Sequence, residues 1–228
     1  MTYENLKKAV FVSRPNRFVA HVLLDGVDTT VHVKNTGRCR EILRPGATVL
    51  LEQGRSPGRK TPYSLIAVYK GDVLINIDSQ APNLAVAEAL KGARIEEFGP
   101  VTHLKREVTF GSSRFDIYYE DSSNKGFIEV KGVTLETGGA ALFPDAPTVR
   151  GARHVWEMTE AVKAGFKGCI FFLIQMKGVN YFTPNRLMDP EFSRALMEAS
   201  QNGVEILAYD CEVRENSMEL GNKIPVVL

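Results

Sequence analysis

Residues 115–133 read FDIYYEDSSNKGFIEVKGV, two apolar runs around a polar loop at 120–126. Alternation at period two makes each run a strand, and the Asp, Ser, Asn and Gly residues between them turn the chain. Asp116 falls in the first strand. Glu129, Val130 and Lys131 fall in the second, thirteen positions on. Strand side chains alternate faces, so Glu129 and Lys131 share one side and Val130 takes the other, toward the core. Charge on a strand made of Ile128, Val130 and Val133 is costly unless it is paired or used. Two carboxylates on neighbouring strands offer hard oxygens of the kind Mg²⁺ or Mn²⁺ takes, together with waters and phosphate oxygens. A lysine beside them can orient or deprotonate an attacking water, or steady charge growing on a phosphate. On a solvated hairpin the same residues would be only its polar face, and Glu-x-Lys is a short pattern.

Outward from this hairpin, residues 107–110 form a third strand and 83–93 a helix, with Leu84, Ala87 and Leu90 at helical spacing. Downstream, a helix at about 150–164, an apolar strand at 169–174, a helix at 191–199 and a strand at 204–209 follow. The order αβββαβαβ is that of a mixed α/β unit whose last strands are buried on both faces and joined by crossover helices. The first eighty residues differ. Short apolar runs at 18–24, 29–33, 48–51, 64–69 and 73–77 are divided by Asp25-Gly26, Pro45-Gly46 and Gly71-Asp72, which is all-β spacing. Residues 36–43 are predicted to form a short helix between strands, so a small Greek-key barrel of the OB type fits, with an SH3-like barrel as the alternative. The fold class is therefore α+β in two domains, 1–80 a small barrel and 81–228 mixed α/β.

Charge divides at the same place. The chain of 228 residues has 28 Lys+Arg against 27 Asp+Glu, a net +1 that excludes a globally basic DNA-coating protein. Up to Ser79 the count is 12 basic to 7 acidic, and beyond it 16 to 20. The first unit is thus the basic one. Cys39, Cys169 and Cys211 form no Cys-x-x-Cys pair, which argues against a disulfide framework or zinc ribbon and for reduced cytoplasmic thiols. The run at 169–174 is far short of the ~20 apolar residues of a membrane helix, so no membrane partner is expected.

Asp116 followed by Glu129-Val130-Lys131 and a crossover helix resembles the PD-(D/E)XK nuclease superfamily. The stretch 143–154, FPDAPTVRGARH, is similar to the signature of the sugar fermentation stimulation protein A family, as are Arg17-Phe18, Asn35-Thr36-Gly37 and 203–209, GVEILAY. This resemblance runs nearly end to end. It implies an OB-like domain, a nuclease-like domain and DNA as partner, with Mg²⁺ or Mn²⁺ as cofactor. Carried onto this chain, it makes Asp116, Glu129 and Lys131 the catalytic set and Asp116 and Glu129 metal ligands. The superfamily often adds an acid from the first helix, for which Glu88 is the candidate, with Glu96 or Glu97 as alternatives. Family members have also been regarded as regulators, so a DNA-binding regulator of sugar metabolism without cleavage is the competing function.

DNA-binding candidates follow from charge and loops. Arg55, Arg59 and Lys60 lie in a Gly- and Pro-rich segment at 54–62, where cations track a nucleic-acid backbone, and Arg17 and Arg38 extend the basic face. Thr148 is an expected N-cap, which puts Arg150 and His154 in the first turns of a helix beside the active strands, suited to phosphate. Strand state and assembly into a homo-oligomer are left open.

Overall fold

The computed structural model describes residues 1–35, 37–54 and 58–228. Strands β1 (Leu6–Asn16), β2 (Val19–Leu24), β3 (Val27–Val33), β4 (Thr48–Gln53), β5 (Tyr63–Lys70) and β6 (Val73–Asn76) form one sheet, order β3-β2-β1-β4-β5-β6. It closes on itself where His32 and Val33 of β3 pair in parallel with Ser64 and Leu65 of β5. The result is an OB barrel, with Phe11, Val22, Val31, Leu51 and Leu65 inside it. β1 is a strand that the apolar runs did not reveal.

The helix expected over 36–43 is absent from the described part of that segment. Cys39 takes a left-handed φ of 47°, which cannot continue a helix, and its carbonyl accepts the amides of both Ile42 and Leu43. One turn results. Cys39, Ile42 and Leu43 are buried and plug it into the barrel.

The second unit comprises α1 (Ala81–Lys91), β7 (His103–Phe110), β8 (Ser113–Glu120), β9 (Lys125–Val133), β10 (Leu135–Thr137), β11 (Ala140–Phe143), α2 (Val149–Lys163), β12 (Lys167–Ile174), β13 (Tyr181–Pro184), α3 (Pro190–Gln201), β14 (Glu205–Arg214) and β15 (Ser217–Lys223). Its main sheet has the order β15-β14-β12-β9-β8-β7, with β9, β12 and β14 parallel. β10, β11 and β13 make a small second sheet. In β12, Phe171 joins the core under α1 while Phe172 joins the core that includes α2 and α3. Both are fully buried, each worth about 1.5–3 kcal/mol, which is why this strand is apolar throughout Cys169 to Ile174.

The two units meet through buried polar groups. Gln175 Nε2 donates to Asn76 Oδ1 at 2.9 Å and to the Asp78 carbonyl, and the Gln175 carbonyl accepts the Asn76 amide; within the barrel Asn76 Nδ2 donates to Tyr3 Oη and Lys34 pairs with Asp78 at 3.1 Å. No helix among the described residues is long and apolar enough to cross a membrane.

Candidate active site

β8 and β9 run antiparallel, with Ile117 opposite Ile128 and Tyr118 opposite Phe127. Strand alternation would place Phe115 and Ile117 on one face, yet Phe115 packs in the core beneath α2 and Ile117 in the core beneath α1. The break falls at Asp116. On its other side, the Glu107–Asp116 rung is missing from a β7–β8 ladder of otherwise constant register, and Glu107 has a φ of 57°. The distortion frees the Asp116 carboxylate to accept the Val130 amide at 2.8 Å and the Asn83 side-chain amide, on α1, at 2.7 Å. Burial, then the charge of Glu129, raises the Asp116 carboxyl from 3.8 to about 6.

Glu129 is 3% exposed in the middle of β9. Its Oε1 meets Lys131 Nζ at 2.6 Å and His154 Nδ1 at 2.6 Å. Burial pushes the Glu129 carboxyl up, but the Lys131 ammonium and the His154 ring outweigh it and hold the group below its ordinary range. Arg150 Nε donates to His154 Nε2 at 3.3 Å, so the ring proton belongs on Nδ1, where it donates to Glu129. Glu129 Oε2 is buried without a hydrogen-bond partner among the described residues. An orphan carboxylate oxygen is expensive, and a water or a divalent cation would satisfy it. Among the described residues no three His, Cys, Asp or Glu side chains gather as a metal cage. Two carboxylates with waters fit Mg²⁺ better than they fit a metal that needs four protein ligands.

The structure brings Asp116, Glu129, Lys131, His154 and Arg150 together. It does not bring Glu88, which is exposed and bound to the N-terminal ammonium at 2.8 Å, nor Glu97, which pairs with Lys223 and accepts Tyr209 Oη. The first-helix group at the site is Asn83, a residue that reads in sequence as an ordinary helix-start polar. Thr148 caps α2 as expected through the Gly151 amide, and its own amide donates to Asp189, the cap of α3. Arg17, Arg38, Arg59 and Lys60 are exposed on the barrel, and Arg55 lies outside the described residues.

Profiles of the SfsA N-terminal OB domain and of the sugar fermentation stimulation protein RE domain match residues 12–77 and 80–217. The chain belongs to the sugar fermentation stimulation protein family. Homologs in this family from Alkaliphilus oremlandii and Clostridium perfringens strain 13 are 58% identical over 231 residues and 54% over 224, covering 99% and 98% of this chain and 98% and 97% of theirs. The solved structure of Pyrococcus furiosus SfsA in complex with Ca²⁺ superposes with a TM-score of 0.92 at 29% identity, over 100% of this chain and 98% of that one. Both halves of the expected fold, OB barrel and mixed α/β unit, are therefore present in one family architecture.

Proposed function

We propose that this chain is a divalent-metal-dependent phosphodiesterase acting on DNA. The observation that carries the reading is the buried, unpartnered Glu129 Oε2 beside Asp116 and Lys131. Mg²⁺ or Mn²⁺ bound there would polarise the scissile phosphate and lower the pKa of a bound water. Asp116 and Glu129 would hold the ion. His154, itself fixed by Arg150, keeps Glu129 in place, as outer-shell partners of metal ligands do. Lys131, released from Glu129 when a cation takes over that charge, would orient the water or steady the developing phosphate charge. Arg17, Arg38, Arg55, Arg59, Lys60 and Arg150 would carry the DNA backbone.

In calorimetry, Asp116→Asn and Glu129→Gln should each weaken Mn²⁺ binding by at least about tenfold, the scale on which even outer-shell partners act. Lys131→Ala should keep most metal and DNA binding while cleavage with Mn²⁺ falls by roughly 10²–10³, as when one transition-state donor is removed. Unchanged Mn²⁺ affinity in both carboxylate variants would refute the metal site. A wild type that cuts no DNA with Mn²⁺ would favour the regulator.

A further inference from the structure

The exposed arginines of the barrel border a hollow. About 450 Å³ in volume, it lies between the β1–β2 hairpin and the loop after β3, and is lined by Arg14, Arg17, Arg38 and Arg40, with no carboxylate among the described residues. Arg14 holds the walls: its guanidinium donates to the carbonyls of Arg17, Asn35, Gly37 and Arg38. Arg17, Arg38 and Arg40 have no acidic partner among the described residues; Asp145, which lines the adjoining cleft, accepts the Arg38 backbone amide at 2.7 Å. That second cleft, about 430 Å³, shares Arg17 and Gly37 with the first. It runs between the two units to Thr148, Gln175 and Gly132, the residue after Lys131. Phe18 stands at the tip of the hairpin, 50% exposed, with the Arg17 guanidinium 5.3 Å from its ring centroid. Arg59 and Lys60 lie in the loop leading into β5, whose Ser64 lies across from His32 of β3, so they occupy the same end of the barrel.

Two features separate unpaired from paired DNA here. An exposed aromatic ring offers a stacking face, and only unpaired bases have a free face to give it. A cleft of this volume is that of a small-molecule pocket, with room for about one nucleotide and none for a duplex. We propose that hollow and cleft form one track for single-stranded DNA, with phosphates on Arg17, Arg38 and Arg40, an unpaired base on Phe18, and the strand led through the cleft to Thr148, the cap of α2, whose Arg150 and His154 stand beside Glu129. The proposal rests on the phosphodiesterase reading for its endpoint, and names the strand state of the substrate.

Fluorescence anisotropy of the full chain in Ca²⁺ tests it, using a short labelled oligothymidylate, a hairpin duplex and an oligouridylate, with Mn²⁺ calorimetry in parallel. The oligothymidylate should bind at least about tenfold tighter than the duplex, the worth of one stacked base. Phe18→Ala should remove at least about fivefold of that affinity, Phe18→Trp should restore it, and neither should move duplex or Mn²⁺ affinity. Equal or tighter duplex binding, or an unaffected Phe18→Ala, overturns the track while leaving the metal site standing. Tighter oligouridylate binding overturns DNA as the strand. Phe18-dependent single-strand binding without Mn²⁺ binding would uphold the track and sink the phosphodiesterase; binding of neither DNA sinks both.

Discussion

Burial and the neighbouring Glu129 raise the Asp116 carboxyl to about 6, so folding favours its protonated form. A group raised on folding contributes stability fully below its unfolded value, and that contribution is lost as pH rises through the folded one. In the metal-free chain, unfolding free energy from this group therefore falls between about pH 4 and pH 6, by up to about 1–3 kcal/mol. Glu129, lowered, works in the opposite sense: its contribution is present above the ordinary carboxylate range and is lost as pH falls. Asp116→Asn removes the first penalty. The new amide oxygen can take the Val130 amide, and its NH₂ can donate to Asn83 once that side chain flips. With chelator present at pH 7.5, the variant should unfold at higher denaturant than wild type, and the gain should vanish near pH 4. A variant less stable than wild type at pH 7.5 would contradict the charge-penalty account. The same residue would then be a liability for folding and an asset for holding metal.

The element that creates the site is the distorted β7–β8 pair. A non-glycine residue in the left-handed region costs roughly 1–2 kcal/mol, and Glu107 spends it at the rung opposite Asp116. Its ion pair with Arg114 at 2.9 Å is exposed on both sides and worth at most about 1 kcal/mol. Glu107→Gly should be neutral or stabilising by up to about 1 kcal/mol in denaturant unfolding, whereas Glu107→Val should destabilise by more. The reverse order would mean that the ion pair, not the backbone, governs the position. Elements with a strong apolar signal are legible in sequence: β8, β9 and the three helices by spacing and β12 by its unbroken run, although the break in β8 at Asp116 is not. β1 was not, because Lys7, Lys8, Arg14 and Pro15 interrupt its apolar residues, although Ala9 and Phe11 alternate inward. Composition predicts a helix over 36–43 because a left-handed Cys39 has no composition signal. Asp116, Glu129 and Lys131 stood out because charge on an apolar strand needs a reason. Glu88 did not reach them because it sits five residues past Asn83, which at 3.6 residues per turn turns it away from the face that Asn83 shows to Asp116. Local pattern does not say which face of a helix meets the site.

At the scale of the whole molecule, the barrel carries the unpaired arginines and the second unit carries the carboxylates. The hydrogen bonds of Gln175 to Asn76 and Asp78 hold the two together, with the cleft between them. Such a division makes DNA affinity electrostatic and chemistry local. Affinity should fall steeply with salt, and Arg59→Ala with Lys60→Ala in the full chain should flatten the slope of log affinity against log salt by about 1.4, or 0.7 per lost phosphate contact on a single strand. An unchanged slope would remove that loop from the interface. The phosphodiesterase reading depends on the buried Oε2 of Glu129 taking a cation. It is tested most directly by a crystal soaked in MnCl₂ with diffraction recorded at the manganese edge. An anomalous peak about 2.1 Å from Glu129 Oε2 and an Asp116 oxygen is the expected result; a site without a peak, with Glu129 Oε2 bonded to water or protein alone, would contradict it.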